Sequence, residues 1–214
     1  SYQNLSDPIV ASTVTIDLNP SIMITLDEDD DVIEVIGLND DGESVIKASR
    51  RYRGWTVEDT IDDLVEILSE KGYIVTTTDE FNILLIEVDA SSEAKRSALA
   101  TRFEEKFNAK LQQYNSEHWV LDSKDIELSD TEINRIKNDP RLNKYTMAKM
   151  ILIYRIHELD DSLSIDELAE MTVRELYDLY LSNEDSNNIP NYDKMPKKTR
   201  WNNSYFGSEM TLVV

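Results

Sequence analysis

Residues 14–26, Val14-Thr15-Ile16-Asp17-Leu18-Asn19-Pro20-Ser21-Ile22-Met23-Ile24-Thr25-Leu26, carry an apolar side chain at every even position except 20, where a proline stands. Successive side chains of a strand point to opposite faces. Val14, Ile16, Leu18, Ile22, Ile24 and Leu26 therefore share one buried face, with Asn19 and Ser21 on the other. Proline donates no ladder hydrogen bond and is confined to strand edges, first positions or bulges. The segment thus reads as two strands, or one bent strand, meeting at the Asn19-Pro20 bond.

The rest of the chain supplies partners for this run. Leu26-Asp27-Glu28-Asp29-Asp30-Asp31 reads as an acidic turn into a third strand, Val32 to Leu38, and Asn39-Asp40-Asp41-Gly42 as the next turn. A calcium loop begun at Asp27 would need glycine at its sixth position and glutamate at its twelfth, where Val32 and Leu38 stand, so a solvated turn is the better reading. From Thr56 the period becomes helical: Thr56-Val57-Glu58-Asp59 resembles a capping box, Ile61, Leu64, Val65 and Leu68 follow on one face, and Lys71-Gly72 ends the helix. Phe81 to Val88 is apolar on both parities, as in a strand covered on both sides. Ser91-Ser92 caps a long helix striped by Leu99, Phe103, Phe107, Leu111 and Tyr114, and His118-Trp119-Val120-Leu121 reads as one more strand.

From Ser129 onward the pattern is helical. Ser129-x-x-Glu132, Ser164-x-x-Glu167 and Thr172-x-x-Glu175 fit the capping box, and Tyr145 to Ile156 is apolar over so wide an arc that neighbours must surround it. Met147, Met150 and Met171 read as core fillers before they read as a binding groove. The expected organisation is α+β: an antiparallel or mixed sheet with two packing helices over residues 1–128, which hold the Asn-Pro motif, and a helical subdomain over 129–182. A linker and apolar tail over 183–214 follow, in which Trp201, Tyr205, Phe206, Met210, Leu212, Val213 and Val214 are expected to dock.

A net charge of −21 repels nucleic-acid phosphate and anionic lipid, so a nucleic-acid partner is not expected. The absence of cysteine removes disulfides and thiolate metal sites and leaves the redox compartment open. No apolar run approaches the roughly 18 to 20 residues of a membrane span. The chain opens on Ser1-Tyr2-Gln3 without an initiator methionine and reads as starting mid-protein, so the lack of a targeting segment carries no information about location.

The machinery of turnover catalysis is sparse. His118 and His157 fall in separate units, there is no HExxH, phosphate loop or GxSxG elbow, and paired carboxylates at this acid content are uninformative. A carbohydrate hydrolase would need two carboxylates at a defined separation across a cleft, which sequence does not reveal. No cofactor or metal is expected, and no turnover activity. Asn19-Pro20 is the exception. Ordinary deamidation uses the next residue's backbone N–H, which proline lacks. The Asn19 side-chain amide can instead attack its own carbonyl carbon, close a succinimide and expel the Pro20 nitrogen, cutting the chain. Near-attack geometry can supply effective molarities on the order of 10⁵ to 10⁸ M. Asp17 and Ser21 are the nearest candidates to assist proton transfer. The plain alternative is that an Asn-Pro pair is a turn.

The run Thr13 to Ile22, followed by Val32-Ile33-Glu34-Val35 and Leu38-Asn39-Asp40-Asp41-Gly42, resembles the extracytoplasmic domain of RsgI-type anti-sigma factors of Gram-positive bacteria. The likeness continues through Tyr52-Arg53-Gly54, the Ile83 to Val88 strand, Leu163 to Ala169 and Thr172 to Leu176, and covers roughly residues 10–182. It implies a single-pass membrane regulator whose cytoplasmic segment, absent from this chain, sequesters a sigma factor. It further implies self-cleavage at Asn19-Pro20, with Asn19 as nucleophile and Asp17 and Ser21 at matching motif positions. The own N-terminal strand then stays bound to the rest until membrane proteases complete the release of the sigma factor. The alternative expectation is an uncleaved extracytoplasmic sensory or protein-interaction module.

Overall fold

The alternating segment folds as a hairpin. In the computed structural model of the protein, which describes residues 8–47, 52–76, 81–114 and 117–195, β1 (Ser12–Asp17) and β2 (Ser21–Leu26) run antiparallel, with Val14 opposite Ile24 and Ile16 opposite Ile22. Of the six apolar positions, five are fully buried and Leu18, in the turn, is half-buried. The strand β3 (Val32–Gly37) joins β2 antiparallel, with a register shift between Thr25 and Leu26. On the other side of β1 lies β4 (Phe81–Ala90), antiparallel to it, and β5 (Glu117–Asp122) runs parallel to β4. The order β3-β2-β1-β4-β5 makes β1 the middle strand of a mixed sheet, and the fold is α+β.

A parallel neighbour demands a crossover. It is made by α3 (Glu93–Gln112), which packs beside α2 (Val57–Glu70) on one face of the sheet. Phe103, Phe107 and Leu111 of α3 and Ile61, Leu64 and Leu68 of α2 meet Val14, Ile16, Ile24, Leu84 and Ile86 in one core. The apolar residues of the other parity on β4 and β5, Ile83, Leu85, Trp119 and Leu121, face a second core on the opposite side. That core is built by α4 (Asp130–Lys137), α5 (Met147–Leu159), α6 (Ile165–Ala169) and α7 (Val173–Asn183). Helix α5 buries seven residues around its circumference, which is why its apolar arc is so wide. Met150 is buried and Met147 and Met171 pack at its margin.

The six N-caps Thr56, Ser92, Ser129, Thr146, Ser164 and Thr172 each accept the N–H three residues on, and at Ser164 and Thr172 the glutamate closes the reciprocal bond. Asn39-Asp40-Asp41-Gly42, expected as a turn, is instead the cap and first turn of α1 (Asp40–Lys47). Asn39 Oδ1 accepts the Gly42 N–H at 2.8 Å and Asn39 O accepts that of Glu43 at 2.8 Å. Turns and N-caps favour the same residues, and so short a helix leaves almost no periodicity to read. The acidic loop closes on Asp27, whose Oδ1 accepts the Asp29 and Asp31 N–H groups, while Asp30 pairs with Lys95 and Arg102. Past α7, Ile189 and Met195 are buried in the second core, so the start of the expected linker is packed. The expected docking of the 199–214 tail lies outside the described residues. No described helix is long and apolar enough to cross a membrane.

Candidate functional site

The hairpin closes through Leu18, Asn19 and Pro20, because Asp17 and Ser21 form the last pair of the β1–β2 ladder. Asn19 sits in the left-handed region (φ +75°), which asparagine tolerates better than most residues. The Leu18 N–H donates to Pro20 O at 3.0 Å, Pro20 is buried, and Asn19 is exposed. Among the described residues, the Asn19 side-chain amide has no hydrogen-bond partner.

The residue after the turn is clamped by the β3–α1 junction. Ser21 N donates to Asn39 Oδ1 at 3.1 Å, and Ser21 O accepts the Leu38 N–H at 2.8 Å. Gly42 makes the approach possible, since a Cβ there would lie 2.2 Å from Ser21 O. One asparagine side chain thus caps α1 and fixes the backbone beside the turn.

Asp17 points to the opposite face from Ile16 and is 1% exposed. The Ser21 hydroxyl donates to its Oδ1 at 2.5 Å, and the Thr146 hydroxyl donates to its Oδ2. Thr146 is also the N-cap of α5, accepting the Lys149 N–H at 3.1 Å. Burial raises the Asp17 pKa, opposed by the bonds from Ser21 and Thr146 and by the Lys149 charge. On β4, Glu87 lies opposite Thr15. Burial, and then the nearby charges of Asp17 and Asp89, push its carboxyl up to about 7, although the Ala148 backbone N–H at the start of α5 favours the ionised form. Burial also lowers the pKa of Lys149, whose Nζ donates to Ala169 O at 3.0 Å and lies 4.3 Å from the centre of the Tyr145 ring.

Beside the buried Asp17 lies a cleft of about 890 Å³ between the sheet and the start of α5, lined by Asn19, Ser21, Asn39, Glu87, Thr146 and Lys149 among others. Asp17, Asn19, Pro20 and Ser21 are therefore brought together. The two histidines are elsewhere: His118 Nε2 contacts Asn108 Oδ1 at 2.8 Å and His157 Nδ1 contacts Leu163 O at 2.7 Å. No group of three or more metal-ligating side chains occurs among the described residues. The arrangement offers an unbonded amide on a residue held left-handed, and a buried carboxylate bonded to the Ser21 hydroxyl close by. Sequence reasoning missed Thr146, Asn39 and Glu87. The first two carry only ordinary capping signals, and nothing in the sequence announces that a cap reaches a carboxylate 129 positions away.

Residues 11–153 match the family described as the anti-sigma factor RsgI-like central domain. The chain is similar to the anti-sigma-I factor RsgI of Bacillus subtilis, 38% identical over 61 residues, which are 28% of this chain and 16% of that protein. It is also similar to two factors of Acetivibrio thermocellus. RsgI7 is 23% identical over 165 residues, 77% of this chain and 28% of the relative, and RsgI4 is 25% identical over 173 residues, 76% and 30%. The chain thus spans less than a third of the length of each of these relatives.

Proposed function

The chain belongs to the RsgI-like anti-sigma factor family, and on that premise we propose that it is the extracytoplasmic signalling domain of a membrane-spanning anti-sigma factor that cuts itself at Asn19-Pro20. In this reading the Asn19 Nδ2 attacks the Asn19 carbonyl carbon, forming the new C–N bond of a succinimide as the bond to the Pro20 nitrogen breaks. The proton lost by Nδ2 passes through the Ser21 hydroxyl and the Asp17 carboxylate to the Pro20 nitrogen, which leaves as an amine. No external reactant is required. The observation that carries the proposal is the Asp17–Ser21 hydrogen bond placed beside the turn that holds Asn19 left-handed. A carboxylate with a raised pKa is closer to the operating pH, where a proton acceptor works best. The process is a single intramolecular event, not turnover.

Cleavage would leave β1 as a separate strand between β2 and β4. Its buried Val14 and Ile16 are each worth about 1.5 to 3 kcal/mol, so the pieces would stay together. A sigma factor held by a cytoplasmic segment upstream, and membrane proteases acting after the pieces part, complete the proposed pathway. Sheet unit 1–128 then does the processing, with 129–182 as its helical companion.

Freshly synthesised protein, followed by denaturing gel and intact mass, tests this. Two fragments are expected whose masses sum to the intact mass, or exceed it by one water once the succinimide hydrolyses. Asn19→Ala should leave one full-length species. A wild-type chain that persists uncut would overturn the reading. The open cleft beside the turn would then favour an uncleaved sensory or protein-interaction module.

A further inference from the structure

Asp17 is the innermost member of the processing site, and half of its hydrogen bonding comes from a distant part of the chain. Ser21 holds Oδ1 from within the hairpin, whereas Oδ2 is held by Thr146 at the first turn of α5, in the helical half of the molecule. We propose that Thr146 is a positioning residue for self-cleavage, so that the Asn-Pro turn becomes competent only when the start of α5 is docked on β1. This rests on the self-cleaving reading given above.

The geometry assigns the Thr146 hydroxyl two partners at once. It donates to Asp17 and accepts the Lys149 N–H, so the helix cap fixes the direction in which the hydroxyl proton points. With Oδ2 occupied, Asp17 cannot turn away from the turn, and Oδ1 stays aimed at the Ser21 hydroxyl. The bond also favours the carboxylate over the acid in a site where burial disfavours charge. Among the described residues, the groups facing Asp17 are Ser21 on β2, Glu87 on β4, Thr146 capping α5, Lys149 on α5 and the Tyr177 phenol on α7. Among the described residues, only Ser21 and Thr146 donate a side-chain hydrogen bond to it. Losing Thr146 therefore leaves one carboxylate oxygen buried without its donor.

A docked helical half thus supplies the missing donor, and a half that is late to fold or displaced withholds it. The cut would come only after residues 147–159 have packed against the sheet, so a chain would not sever its first strand before the helical half has docked on it. Thr146 takes no part in the bonds that form and break. Its contribution is to the orientation and charge state of Asp17.

The test follows the rate of fragment appearance in the full 214-residue chain from the moment of synthesis, across pH 5 to 9, for wild type, Thr146→Val, Thr146→Ser and Thr172→Val. Thr146→Val keeps the shape but loses the hydroxyl. It should cut about tenfold more slowly near neutral pH, the effect of one hydrogen bond to a charged group, and its rate should need a higher pH to rise. Thr146→Ser should restore both rate and profile. Thr172→Val removes a cap of the same kind from α7, with no contact to Asp17, and should cut like wild type. Wild-type rate and pH profile in Thr146→Val, or equal slowing in Thr172→Val, would defeat the inference while self-cleavage stood. An uncut wild type would bring down both.

Discussion

A single carboxylate shows how the site sets its own chemistry. Glu87 carries a carboxyl pushed up to about 7 from an ordinary 4.5, first by burial and then by Asp17 and Asp89. The folded chain therefore holds this proton more tightly than the unfolded chain does. The stability it contributes is fully present below pH 4.5 and is lost as pH rises through about 7. Glu87→Gln fixes the neutral form. Chemical denaturation should find it more stable than wild type at pH 8 by on the order of 2 kcal/mol, with a shallower fall in stability between pH 4.5 and 7. Asp17 is also raised by burial and works in the same direction, so part of the slope should survive. Asn19 obeys a different constraint. Its left-handed backbone suits asparagine or glycine, so the nucleophile proposed for cleavage is also a residue the turn accepts at little cost.

At the scale of elements, the β3–α1 junction sets the position of Ser21 through contacts that leave no spare room. Gly42→Ala would drive a methyl group into Ser21 O, and Gly37→Ala would meet the Glu43 N–H at 2.1 Å. Gly42→Ala should lower stability by about 1 to 3 kcal/mol in denaturant titration, and it should slow the appearance of fragments, because the carbonyl that must move belongs to Ser21, two residues past Asn19. This junction is also where the sequence was hardest to read. The hairpin was legible because Val14, Ile16, Ile22 and Ile24 keep one strict parity, and five of the six Ser or Thr N-caps because each stands just before a helical pattern, whereas Thr146 lies inside the apolar run of α5 and was not. Helix α1 was not, since Asn39 and two aspartates serve a turn as well as a cap. The half of the site that comes from Asp17, Asn19, Pro20 and Ser21 is local in sequence and could be found there. Thr146, Asn39 and Glu87 reach the site through pairing and packing, which no spacing encodes.

Across the whole molecule, the sheet separates two cores, and β1 takes part in the ladders on both its sides. If the chain is cut at Asn19-Pro20, the two pieces should elute together by size exclusion under native conditions and separate only in denaturant. Separation in native buffer would contradict the retaining role given to the neighbouring strands. The central position of β1 has a mechanical consequence. Its hydrogen bonds to β2 and β4 lie across the strand axis, at six paired positions on each side. A tug along the axis, applied at Ser12, would load all of them together in shear. A tug lifting the free Asn19 end would break them one after another, like a zip. The same joint would thus be stiff in one direction and yielding in the other, and the direction of a load would count for as much as its size.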